Sequence, residues 1–93
     1  MAHNVSLASQ AEPAEISRED LAALLGKSIG SIASAVCRGS FPEGHPVKTP
    51  NGIRSFHTLA SLREFYESKG PGKLAEFEGK LAAWLAVRAA RGE

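Results

Sequence analysis

The stretch LLGKSIGSIASAVCRGSFP, residues 24–42, stops a helical pattern at Gly26 and restarts it at Ser28. No other feature constrains the chain as much, because it sets two short helices at an angle across one tight turn. Ser17 stands as an N-cap with Asp20 three residues on, and Leu21, Leu24 and Leu25 follow at helical spacing. Gly26 ends this first helix, since glycine takes a positive φ at little steric cost. Ser28 caps the second helix, in which Ile29, Ile32, Ala35 and Val36 recur at helical intervals until Gly39.

Beyond Gly39 the chain becomes extended. Pro42 and Pro46 forbid helix, and the runs Val47–Thr49 and Ile53–Phe56 flank PNG, a strong turn signal, so a short β-hairpin is predicted. Thr58 caps a third helix with Leu59, Leu62, Phe65 and Tyr66 on one face, until SKGPGK breaks it. Residues 73–91 form a fourth, amphipathic helix. Residues 1–14, rich in Ala, Ser, Glu and Pro without periodicity, are expected to be a flexible or weakly docked arm. The predicted fold is mainly α with a small β-hairpin, its central unit at residues 15–69 and an additional C-terminal helix following it.

Composition narrows the function classes. The chain has 93 residues, enough for one small core, and no run approaches the roughly 18 consecutive apolar residues of a membrane span. The N-terminus lacks the pattern of a secretory signal, and the single cysteine, Cys37, suits a reducing compartment, so a cytoplasmic protein is expected. Net charge is only +1, but its distribution is uneven: residues 12–20 carry −3, residues 27–73 carry +4 and residues 74–93 balance. A basic middle hints at phosphate binding. No carboxylate pair, nucleophile with base, or metal set falls together, so neither an enzyme nor a cofactor is expected. His45 and His57 lack partners at ligand spacing. GKS at residues 26–28 has Leu21 where a phosphate-binding loop needs glycine, which excludes nucleotide binding by that motif.

Ala22, then Gly26 four residues on and Ile32 six after that, has the spacing of a helix-turn-helix, in which the first residue must be small for the helices to approach. The helix pair, the RGSFP exit, a hairpin with basic residues at its tip and a helix opening after RSF together resemble the winged helix-turn-helix of the MerR-like superfamily. Within it the chain is most similar to AlpA-type and excisionase proteins of temperate phages and prophages. LAALLGKSIGSI, residues 21–32, is similar to the matching stretch of phage Cox proteins, which act as excisionase and promoter repressor together.

The resemblance implies a non-enzymatic protein that binds double-stranded DNA, with roles for particular residues. Ser28 would lie near a phosphate at the N-terminal end of the recognition helix. Ser31, Ser34 and Arg38 would face the major groove, with Lys27 beside the backbone. Lys48, Asn51 and Arg54 would form the wing, where an arginine can enter the neighbouring minor groove. The chain departs from the family in carrying Ile29, Gly30, Ala33 and Ser34 where long polar residues are usual. Such small groups read bases poorly, so DNA shape, the wing and cooperative binding of several copies would supply specificity.

Leu74, Phe77, Leu81, Trp84 and Leu85 make an apolar stripe along the fourth helix. It either folds back on the domain or pairs with another copy, and pairing would join DNA-binding units. The expected partners are duplex DNA, further copies of the chain and a site-specific recombinase. The rivals are a transcription regulator without a recombination role and an antirepressor-like protein-interaction module, in which Lys27 and Arg38 are solvated helix-end charges.

Overall fold

A computed structural model describes residues 12–92. In chain order these form β1 (Glu15–Ser17), α1 (Arg18–Leu25), α2 (Ile29–Cys37), β2 (His45–Thr49), β3 (Gly52–Thr58), α3 (Leu59–Lys69) and α4 (Pro71–Ala90). The protein is mainly helical around a small antiparallel sheet of order β1-β3-β2. Most of the segment expected as an arm, residues 1–11, lies outside the described residues.

Hydroxyl caps open the first three helices as the sequence predicts. Ser17 Oγ accepts from the Asp20 N–H at 3.1 Å, Ser28 Oγ from Ser31 at 3.0 Å and Thr58 Oγ1 from Ser61 at 3.2 Å. Each contact satisfies an N–H that the helix start leaves without a partner. Gly26, at φ 70, directs its N–H back to the Ala22 and Ala23 carbonyls and closes α1. The chain then turns, and α2 leaves at 107° to α1.

The hairpin is longer than predicted, because β2 starts at His45 rather than Val47. Pro46 is tolerated there because β2 is an edge strand, where a missing N–H disturbs no inner ladder. The strand β1 is not anticipated by the sequence reading. It pairs with β3, placing Ile16 opposite His57 and Ser17 opposite Phe56. A three-residue strand with one apolar side chain has too little pattern to be read locally.

One core unites all these parts. Ile16 comes from β1, Leu21 and Ala22 from α1, Ile32 from α2, Leu59 and Leu62 from α3, and Phe77 and Leu81 from α4. Of the two arrangements the sequence leaves open for the α4 stripe, Phe77 and Leu81 take the first, folding back on the domain rather than pairing copies: each is 2% exposed inside the chain's own core. Trp84 and Leu85 pack partly against it, and Leu74 is half-buried. The reason is the break at Gly70, which lets α4 return along α3 so that Tyr66 stacks on Phe77 at 4.8 Å between ring centroids. Pro71 opens α4 two residues before the predicted start, since a proline at the first helical position has no N–H to leave unpaired. Burying Phe77 and Leu81 contributes about 1.5–3 kcal/mol each. Arg63 of α3 fastens the hairpin of helices further, donating to Glu78 at 2.7 Å and to Glu12 at 3.0 Å.

Phe41 of RGSFP explains how the chain leaves α2. Its ring turns inward to meet His57 edge-on at 5.9 Å and Phe65 at 5.2 Å. His57 is fully buried, and its Nε2 accepts from Arg18 Nε at 3.1 Å. That geometry fixes the neutral Nδ1–H tautomer.

Candidate nucleic-acid interface

A helix that reads a duplex needs one face anchored and the other clear. Ile32 is the sole buried residue of α2, at 2% exposure, while Ala33, Ala35 and Val36 are half-buried. Ser28, Ser31, Ser34 and Arg38 are exposed, as is Lys27 in the preceding turn. The spacing of apolar residues at 29, 32, 35 and 36 does not put Ile29 inside; it is 46% exposed. The Ser28 oxygen is engaged as a cap, so what remains to face a ligand is its O–H and the N–H groups of the first helical turn.

Lys27, Ser31 and Arg38 line one groove between α2 and α3, with Phe41, Phe65 and Tyr66 opposite. The structure therefore gathers these predicted residues with aromatic side chains whose involvement sequence alone did not suggest. Burial, with a smaller effect from Glu76, pushes the Tyr66 hydroxyl above its ordinary pKa, so it stays protonated as a donor at neutral pH.

The hairpin divides its predicted residues. Lys48 and Asn51 are exposed, and Asn51 sits in a turn tightened by Thr49, whose Oγ1 accepts from the Asn51 N–H at 3.2 Å and donates to the Gly52 carbonyl at 2.6 Å. Arg54 differs from the expectation of a free wing cation. Its Nη1 lies 2.8 Å from Glu19 Oε2, so α1 neutralises it. The Glu19 carboxyl is held below its ordinary pKa by a backbone hydrogen bond and by Arg54, against the opposing effect of burial, and is ionised at neutral pH.

A wider division of labour among the cations was not legible in the sequence. Arginines 18, 54, 63 and 88 are engaged with His57, Glu19, Glu12 and Glu78, and Asp20 or the Trp84 ring. Lys27, Lys73, Lys80 and Lys48 make no ion pair among the described residues, and Lys69 lies over the Phe65 ring at 5.1 Å. A period of seven residues would have flagged Lys73 and Lys80 as one face of α4, but not what that face adjoins.

Of the remaining polar candidates, His45 has an internal partner, its Nε2 lying 2.7 Å from Glu15 Oε1, while Cys37 is exposed as a free thiol. Among the described residues no three His, Cys, Asp or Glu side chains gather to hold a metal, and no single helix is long and apolar enough to cross a membrane. Comparison with protein-family models, with curated proteins and with solved structures finds no match.

Proposed function

We propose that the chain is a winged helix-turn-helix protein that binds double-stranded DNA without catalysis, in the manner of the phage Cox and excisionase proteins. The supporting observation is α2 itself: one buried anchor, a clear polar face, and a 107° departure from α1. That angle lies within the 90–120° of helix pairs whose second member enters a major groove.

The small side chains of α2 let its backbone come close to the groove floor. Ser31, Ser34 and Arg38 then meet base edges or phosphates, while Lys27 and the opening N–H groups hold the backbone. Serine reads bases ambiguously, so a single copy binds with modest specificity. Several copies, bound side by side, supply the rest by adding weak contacts and by bending the duplex. Such an assembly directs a site-specific recombinase or covers a promoter.

The α4 stripe is largely consumed by the core, so copies meet elsewhere. The available face lies between α1 and α4, where Ala23, Leu24, Ala83 and Val87 surround the half-buried Trp84, together with the charged Asp20, Lys80 and Arg91. Val87 is 53% exposed.

The test is a fluorescence-anisotropy titration of labelled duplex at several salt concentrations. Affinity that falls linearly on logarithmic axes as salt rises is expected, because bound phosphates release counterions. Absence of binding in dilute buffer would overturn the reading. Footprinting separates the finer roles: tandem sites beside a recombinase attachment site mark the excisionase, and one site at a promoter marks the AlpA-type regulator. An antirepressor-like module, favoured by the exposed Ile29 beside small residues, predicts a protein partner held without such salt dependence.

A further inference from the structure

A second cleft opens beside the start of α2. Lys27, Lys73, Glu76 and Lys80 line it, over Leu25, Tyr66 and Phe77. Lys27 and Tyr66 also line the groove that holds Ser31 and Arg38, so the two depressions adjoin at these residues. Three ammonium groups that make no ion pair among the described residues face one carboxylate, while most of the arginines are engaged inside the fold. Three like charges against one counter-charge leave an excess that repels, and a polyanion relieves that repulsion.

We propose that Lys27, Lys73 and Lys80 grip the phosphodiester backbone of the DNA strand flanking α2. On this reading α4 supplies a second backbone contact, beside the one Lys48 offers from the wing, while Arg54 is held by Glu19. The inference rests on the placement of α2 in a DNA groove and adds a site to it.

The spacing suits the ligand. Lys73 and Lys80 are seven residues apart on one face of α4, about 10.5 Å along its axis. One strand places a phosphate about every 3.4 Å along the duplex axis, so lysines about 10.5 Å apart can reach different phosphates of the same strand. Lys27, one residue before the α2 cap, joins this row to the recognition helix. Glu76 lies three residues after Lys73 and four before Lys80, and its carboxylate weakens the row that it divides.

The experiment compares the full chain with four altered forms, and with Arg38→Glu as a reference, by anisotropy titration on one duplex across salt concentrations. The double variant Lys73→Ala/Lys80→Ala is expected to bind about tenfold or more weakly near 100 mM salt, with a log–log slope shallower by about two. The melting curve should be unchanged, since both side chains are exposed. Lys73→Arg/Lys80→Arg should restore binding, and Glu76→Gln should tighten it, a gain that a merely structural role would not produce. Arg91→Ala, at the far end of α4, controls for net charge and should alter the slope least. Wild-type affinity and slope in the alanine double variant would overturn the α4 grip and leave the α2 reading standing, provided Arg38→Glu still abolishes binding. Failure of the unaltered protein to bind would remove both.

Discussion

His57 shows how one side chain ties stability to pH. Burial, and then the nearby Arg18 guanidinium, push its pKa below the ordinary 6.5; the Pro42 carbonyl opposes this, and His45 adds to the depression. The folded protein therefore holds a neutral imidazole, whereas the unfolded chain takes up a proton near pH 6.5. Because the unfolded state binds more protons below that value, His57's contribution is fully present above about pH 6.5 and declines as the pH falls. Protonation would also end the bond from Arg18, since Nε2 could no longer accept. Urea unfolding at pH 7.5 and 5.5 is expected to give the lower stability at 5.5. His57→Gln should flatten that difference while costing about 1–3 kcal/mol through the altered buried hydrogen bonds. An equally steep decline in the variant would assign the effect to another group.

Gly44 is needed by the same histidine. A Cβ at this position would come within 2.8 Å of the Phe56 carbonyl oxygen and 3.1 Å of the His57 ring. The backbone oxygen cannot move without disturbing the sheet, so Gly44→Ala is expected to destabilise the fold by about 1–3 kcal/mol. A melting curve matching wild type would show that the 38–44 connection yields more freely than its packing implies.

At the scale of elements, the wing and α1 are coupled by the pair between Arg54 and Glu19. A half-exposed pair of this kind contributes under about 1 kcal/mol to stability, so its larger consequence concerns binding. Were Arg54 a free wing cation, Arg54→Ala would weaken binding to every duplex and make the salt slope shallower. With Glu19 holding the guanidinium, the informative change is Glu19→Gln, which frees Arg54. This variant is expected to bind DNA more tightly, with a slope steeper by about one, and adding Arg54→Ala should cancel the gain. No gain in an anisotropy titration would exclude Arg54 from the wing's contacts.

That coupling marks the limit of what the residues alone disclose. The helix caps were legible because their hydrogen bonds span three residues, and Gly26 was legible because its backbone geometry is a local demand. Glu19 and Arg54 are 35 residues apart, and Glu12 and Arg63 are 51 apart. Surface charges carry no period that would reveal such meetings. Likewise β1 draws its identity from β3, and no feature of Glu15–Ser17 by itself distinguishes a strand from the end of an arm. The apolar rhythm of α4 was plain, yet rhythm says only that a stripe is covered. What covers Phe77 and Leu81 follows from the turn at Gly70, a tertiary outcome.

For the whole molecule, dimensions decide how copies can cooperate. The described residues span 47 × 37 × 19 Å, and the middle dimension is close to the 34–36 Å of one duplex turn. On the proposed reading, copies on one face of DNA at successive turns would touch where that dimension runs along the duplex. Val87, 53% exposed beside the half-buried Trp84, offers the contact least committed to the core. Placing a charge there should leave the monomer folded but oppose association, because an unpaired carboxylate at a contact loses its water without gaining a partner. Val87→Asp is thus expected to retain single-site affinity while losing cooperativity on tandem sites 10–10.5 base pairs apart, the spacing that keeps both copies on one face. Moving the second site by half a turn should have the same effect on the wild-type protein. Gel-shift titrations on one-site and two-site duplexes measure both. Trp84→Ala supplies the contrast: its ring belongs partly to the core and carries Arg88 at 4.6 Å, so this change should lower the melting midpoint. Its cost should be about 1–3 kcal/mol, less than the 3–5 kcal/mol of a fully buried ring. Undiminished cooperativity in Val87→Asp, with its single-site binding intact, would move the contact between copies away from the α1–α4 face.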